Sequence, residues 1–273
     1  MKTATINGID LAYHDEGQGQ PILFIHAFPL HSAMWEPQIA AFSSRYRLIA
    51  PDLRGLGATA RGGGAASLDQ HADDMAALLD QLGLEQVTVA GLSMGGYISF
   101  ALLRRHPQRI ATLILADTRA GADSAEGRQG REQNARLAEE QGSGAIADQM
   151  LPKLLSASAP TALRDEVRGI IESNDRAGIA AALRAMAARP DSTSLLAAIE
   201  VPVLVIVGAE DTLTPPSEAE AMFDAIPGCR LANIPLAGHL SNLEAPDAFN
   251  TALDEFLAPR QTFGVGGGGS GKW

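Results

Sequence analysis

One stretch constrains the chain more than any other: Gln86-Val87-Thr88-Val89-Ala90-Gly91-Leu92-Ser93-Met94-Gly95-Gly96. A β-branched run from Val87 to Val89 ends in Gly-x-Ser-x-Gly, and Tyr97, Ile98, Ala101 and Leu102 continue at helical spacing. Strand, sharp turn and helix in that order present a serine at the edge of a sheet. The turn forces Ser93 into a strained backbone conformation, tolerable only where the residues two positions away lack side chains. Gly91 and Gly95 supply that room, and Gly96 lets the helix lie close on the sheet. Ser93 is therefore the candidate nucleophile, with the N–H of Met94 and the first helical turn facing a developing oxyanion. In a chain with 28 glycines the motif alone is weak; its flanking strand and helix give it weight.

The rest of the chain alternates strands with helices, which predicts a mostly parallel sheet with helices on both faces. Asn7-Gly8 marks a hairpin between Thr3–Ile6 and Leu11–His14, and Pro21 to His26 reads as a strand buried on both faces. Ser32 is expected to cap a helix through Phe42, followed by a strand at Tyr46–Pro51. Ser67-Leu68-Asp69-Gln70 opens a helix that Gly83 stops. Ile110–Ala116 reads as the next strand. From Arg119 to Glu200 the chain is rich in Ala, Arg, Glu and Gln and has no aromatic residue, predicting four or five helices broken at Gly142, Pro160, Gly178 and Pro190. Strands resume at Val201–Gly208 and Cys229–Ile234, and a last helix runs from Pro246 to Leu257. The predicted organisation is a core over 1–118, a helical cap over 119–200, the rest of the core over 201–260, and a tail over 261–273 with the composition of a flexible, appended linker.

A length of 273 residues suffices for one large α/β domain, and the net charge of −11 argues against nucleic acid or anionic membranes as partners. The one cysteine, Cys229, excludes an intramolecular disulfide and reads as a small packed residue rather than a nucleophile. No apolar run reaches the length of a membrane span, and the N-terminus lacks a signal-like segment; a soluble cytoplasmic protein, monomer or homodimer, is the expectation.

A serine hydroxyl needs a base, and the base an orienting acid, on loops at the strand C-termini. Gly208-Ala209-Glu210-Asp211 follows one late strand and Pro235-Leu236-Ala237-Gly238-His239 the next, giving Ser93, Asp211, His239 in chain order. His239 alone of six histidines directly follows a glycine after a late strand, whereas His71 and His106 read as surface residues on helices. Glu210 and Asp117 compete with Asp211 for the acid, Asp117 from the loop after the strand that follows the nucleophile helix. Residues His26-Ala27-Phe28-Pro29 follow the early buried strand; the N–H of Phe28 is the candidate second oxyanion donor, since Pro29 has none, and His26 reads as structural.

These segments resemble the α/β-hydrolase superfamily over about residues 3–258: His26-Ala27-Phe28-Pro29-Leu30, Pro51–Gly57, Gly91–Tyr97, Gly208–Asp211 with Pro215, and Gly238-His239. The resemblance implies an eight-stranded, mostly parallel sheet with an inserted helical cap, and is similar to small-capped serine esterases and lactonases, the 3-oxoadipate enol-lactonase-like group. It implies acyl transfer through Ser93 on a small-molecule ester or lactone without metal or organic cofactor. Relatives that cleave carbon–halogen bonds or epoxides carry aspartate where Ser93 stands. Ala27 departs from the family's glycine and would cost strain if that position needs a positive φ. A C–C bond hydrolase or a perhydrolase would use the same serine; a non-catalytic small-molecule receptor would use the fold alone. Met150, Leu151, Leu154 and Met186 are the candidate pocket side chains from the aliphatic cap, favouring small or medium acyl groups. Arg119, Arg128 and Arg131 are expected to be solvated, the alternative being contact with a substrate carboxylate.

Overall fold

The computed structural model describes residues 1–62 and 67–258 and the backbone of Gly271–Lys272. Its sheet holds β1 (Lys2–Ile6), β2 (Ile9–Glu16), β3 (Gln20–Ile25), β4 (Tyr46–Pro51), β5 (Val87–Leu92), β6 (Ile110–Ala116), β7 (Val203–Gly208) and β8 (Arg230–Ile234). They lie in the order β1-β2-β4-β3-β5-β6-β7-β8, with a two-residue β9 (Gly271–Lys272) beside β8. β1 and β2 pair antiparallel, β2 pairs antiparallel with β4, and all later pairings are parallel. The hairpin turns at Asn7 (φ 44°) and Gly8 (φ 75°), the paired positive φ values that an Asn-Gly turn supplies. The rest of the tail lies outside the described residues.

The helices are α1 (Glu36–Phe42), α2 (Leu68–Gln81), α3 (Met94–Arg105), α4 (Ala125–Gln141), α5 (Ser143–Leu154), α6 (Thr161–Glu172), α7 (Arg176–Ala187), α8 (Pro216–Ala225), α9 (Ser241–Glu244) and α10 (Pro246–Leu257). Alternation along each strand divides the core. Leu23 and Ile25 of β3 share a cluster with Met75 and Leu79 of α2 and Ile98 of α3, whereas Ile22 and Phe24 face α1 and α10. On that second face Trp35 stands between Phe24 and Phe249, with ring centroids 4.7 and 6.3 Å away. Two-sided burial is why the central strands are continuous apolar runs.

Three local expectations change. His31, not Ser32, caps the turn that precedes α1: its ring nitrogen accepts the Ala33 N–H, while the Ser32 N–H goes to Asp52 Oδ1 at 2.9 Å. Gly178 does not break the cap; Asp175 caps α7, and Gly178 lies within it. Its lack of a side chain serves a close approach, since a Cβ there would stand 1.7 Å from the Gly55 carbonyl oxygen. His71 is fully buried on α2 rather than on the surface, while His106 pairs with Asp73 at 2.8 Å. Helices α4 to α7 all fall between β6 and β7.

Candidate active site

Ser93 joins β5 to α3 with φ 56° and ψ −111°. Few non-glycine residues tolerate such a backbone, and it persists here because both flanks are pinned. The Ser93 N–H donates to Ala116 O at 2.9 Å, and Thr118 Oγ1 donates to Ser93 O at 2.8 Å. The neighbouring glycines are required by contact: a Cβ on Gly95 would lie 2.1 Å from Ile25 O, and one on Gly91 would lie 2.3 Å from Gly95 O.

Three loops meet at this turn. Ser93 Oγ lies 2.8 Å from His239 Nε2, and His239 Nδ1 lies 2.8 Å from Asp211 Oδ2. All three side chains are buried. Asp211 Oδ1 accepts the N–H groups of Leu213 and Thr214 at 2.8 and 3.0 Å, and Oδ2 also accepts Thr214 Oγ1 at 2.6 Å. Burial pushes Asp211 toward protonation, but the bonds from His239 and Thr214 outweigh it and hold the carboxyl below its ordinary range. An ionised Asp211 fixes the tautomer with the proton on Nδ1 and leaves Nε2 free to accept from Ser93.

Asp117 takes another role. Its Oδ1 accepts the Gly208 N–H at 2.8 Å and its Oδ2 accepts the Ser241 hydroxyl, so it ties the ends of β6 and β7 to α9 and makes no hydrogen bond to His239. Burial and the charge of Asp211 raise Asp117 well above a normal carboxyl. Glu210 is exposed.

The side where the N–H groups of Phe28 and Met94 are expected to donate is equally ordered. Met94 opens α3, so its N–H has no helical partner, and the N–H of Phe28 donates to nothing among the described residues. Ala27 is absent from the positive-φ residues and sits without strain. His26 Nε2 accepts the Leu53 N–H at 3.0 Å, which leaves Nδ1 to donate to Ala27 O at 2.9 Å. Burial pushes this histidine down to about 4, so it is neutral and structural. Asn174, from the break between α6 and α7, donates to Pro29 O at 2.9 Å and accepts the Gly57 N–H at 2.6 Å.

A model of the α/β-hydrolase fold matches residues 20–246. The chain belongs to the α/β-hydrolase family. It is 34% identical to 3-oxoadipate enol-lactonase 2 of Acinetobacter baylyi, over 93% of this chain and 96% of that protein. Among solved structures, a malate-bound thermophilic esterase from Thermogutta terrifontis superposes with a TM-score of 0.90 at 42% identity, covering 93% of this chain and 96% of that one. The enol-lactonase of Burkholderia xenovorans superposes at 0.88 with 31% identity, covering 94% and 100%.

In this α/β-hydrolase a cavity of about 150 Å³ opens on the serine, lined by Phe28, Ser93, Tyr97, Arg119, Arg131, Met150, Met186, Leu213, Thr214 and His239. Met150 of α5 and Met186 of α7 reach it from the cap. Leu151 and Leu154 do not; they belong to a buried cluster with Ala147, Val167 and Ile171, on the face by which α5 meets α6. Arg119 and Arg131 are cavity residues rather than solvated ones, because both are drawn inward onto the buried Asp123, while Arg128 turns to the Asp123 backbone carbonyl at 2.6 Å. Leu213 and Asp123 have no signal of their own in the sequence and Tyr97 reads only as part of the helix after Ser93; for Thr214 the signal is Asp-x-x-Thr after a late strand, the spacing at which a threonine folds back on the acid. Cys229 is buried, which pushes its thiol up to about 12 and leaves it without a nucleophile's thiolate. No helix of the described residues is long and apolar enough to cross a membrane.

Proposed function

We propose that this α/β-hydrolase is a serine esterase or lactonase acting on small-molecule substrates of small to medium acyl size. The observation that carries the reading is the continuous chain Ser93 Oγ, His239 Nε2, His239 Nδ1, Asp211 Oδ2, with 2.8 Å at each of its two links. Ser93 Oγ attacks the ester carbonyl while its proton passes to His239 Nε2. The N–H groups of Phe28 and Met94 receive the oxyanion, and His239 returns the proton to the departing alkoxide. Water, deprotonated in turn by His239, then releases the acid and restores Ser93. The cavity of about 150 Å³ is small for a ligand site, which favours short acyl groups over lipid chains. The single cysteine, free and buried, suits the reducing cytoplasm.

The test compares acetyl, butyryl and dodecanoyl p-nitrophenyl esters with wild-type protein and Ser93→Ala. Short-chain turnover that the substitution lowers by at least about 10³-fold is expected; an optimum at dodecanoyl refutes the size assignment, and a fully active Ser93→Ala refutes the nucleophile.

A further inference from the structure

Both residues that flank His239 are fastened to the cap. The Leu240 N–H donates to Leu154 O, the last residue of α5, at 3.0 Å. On the other side the Gly238 N–H donates to Glu244 Oε1 at 2.8 Å, and Glu244 Oε2 accepts the Ser156 N–H at 2.9 Å. One carboxylate thus bridges the residue before His239 to the chain just beyond α5. Backbone N–H groups bond a carboxylate more strongly than a neutral carbonyl, so the bridge is a firm one. It is also close: a Cβ on Gly238 would stand 2.7 Å from Ser156 N and 2.8 Å from Glu244 Oε1, which is why glycine precedes the histidine. Leu236, in the same loop, takes φ 58°, a backbone that a leucine keeps only where its surroundings hold it. Helix α5 also carries Met150, which lines the cavity. The helix that faces the substrate is therefore the one to which the loop of His239 is tied.

Resting on the esterase or lactonase reading, we propose that Glu244 is a positioning residue for His239: its carboxylate clasps the histidine's loop to the end of α5 and sets where the imidazole stands. Asp211 holds the ring through Nδ1 alone, which leaves the ring free to swing about that bond. Fixing the backbone on both sides of His239 removes that freedom. The task most exposed to its loss is delivery of a proton to the leaving alkoxide, because that oxygen belongs to the substrate and nothing on the protein ties it to Nε2. A misplacement of about 1 Å at such a step costs up to about 10²-fold in rate.

The experiment compares two esters of one acid, p-nitrophenyl butyrate and ethyl butyrate, by absorbance and by pH-stat. Their acyl groups are identical, but p-nitrophenolate leaves without a proton and ethoxide requires one. The readout is the ratio of kcat/KM for the p-nitrophenyl ester to that for the ethyl ester within each protein. In Glu244→Ala the ratio is expected to rise by about tenfold, with the loss on ethyl butyrate in kcat and KM nearly unchanged. Glu244→Gln, which keeps one acceptor oxygen, should raise it less, and decides by the same criterion if the alanine variant does not fold. Ser156→Pro deletes only the cap's N–H, after a Leu155 (φ −120°, ψ 145°) already extended as a residue before proline must be, and should also raise the ratio. A ratio unchanged by the Glu244 substitutions, at whatever absolute rate, overturns the proposal, since general damage lowers both esters alike. A ratio raised at Glu244 but not at Ser156 overturns the tie to the cap. Wild-type turnover of p-nitrophenyl butyrate, and its loss in Ser93→Ala, test the serine hydrolase reading separately; wild-type protein that cleaves neither ester overturns both.

Discussion

Asn174 joins three parts of the molecule that catalysis requires to stay in register. It is buried in the cap, its Nδ2 donates to Pro29 O at 2.9 Å and Ile170 O at 3.0 Å, and its Oδ1 accepts the Gly57 N–H at 2.6 Å. Pro29 directly follows Phe28, so the cap holds the loop that carries the proposed oxyanion donor. Asn174→Ala leaves Pro29 O unpaired in buried surroundings, at about 1–3 kcal/mol before relaxation, whereas the N–H of the exposed Gly57 turns to water. Relaxation by loop movement lowers that figure and displaces Phe28, and losing one oxyanion donor outright costs about 10²–10³ in rate. The expected result is a stability loss of about 1–3 kcal/mol in urea unfolding, with kcat down by about tenfold to a hundredfold and KM nearly unchanged. Asn174→Asp, which keeps the acceptor for Gly57 but loses the donor to Pro29, should fall between. A destabilised Asn174→Ala with wild-type kcat would refute the link between the cap and the oxyanion loop.

Three further outcomes are expected. Asp211→Asn should lower kcat by about 10⁴ by reversing the His239 tautomer, whereas Asp117→Asn, at a carboxyl that burial already pushes toward neutrality, should lose far less; equal losses measured on the same ester would contradict the assignment of the acid. Gly95→Ala should abolish soluble folded protein or turnover, because its Cβ would meet Ile25 O at 2.1 Å with backbone on both sides; near-normal turnover by a folded variant would contradict the tight turn. Burial holds His71 down to about 4, against about 6.5 in an unfolded chain, so between those values the unfolded chain binds a proton the folded one refuses. Stability therefore falls as pH drops through that window, His71 contributing up to about 2 kcal/mol of the fall near pH ~5. Urea unfolding of His71→Leu should show a shallower fall, and an unchanged slope would contradict this origin.

Local chemistry made most of the fold and the places of Ser93 and His239 legible in the sequence. Ser93 is announced by the strand before it and the glycines around it, and His239 by its place after the last central strand. Choosing between Asp211 and Asp117 needed side-chain direction: both end strands of the same sheet, and only the turn closed by Leu213 and Thr214 aims Asp211 at the ring. The helical cap was legible as helices but not as faces. Leu151 and Leu154 share α5 with Met150, yet only Met150 reaches the cavity, because α6 covers the other side. Arg119 and Arg131 read as solvated because nothing in the sequence marks their common partner, Asp123, as a buried acid shared by three arginines. Gly178 read as a helix break because nothing in its neighbourhood reveals that Gly55, far earlier in the chain, must pass against it.

The most direct test of the central claim is mass spectrometry of the intact protein and its peptides after treatment with a fluorophosphonate. The hydroxyl held 2.8 Å from His239 Nε2 should take up one phosphonyl group at Ser93, and none should appear in Ser93→Ala or after replacement of His239 by alanine. Ester turnover by a protein that stays unlabelled at Ser93 would contradict the account.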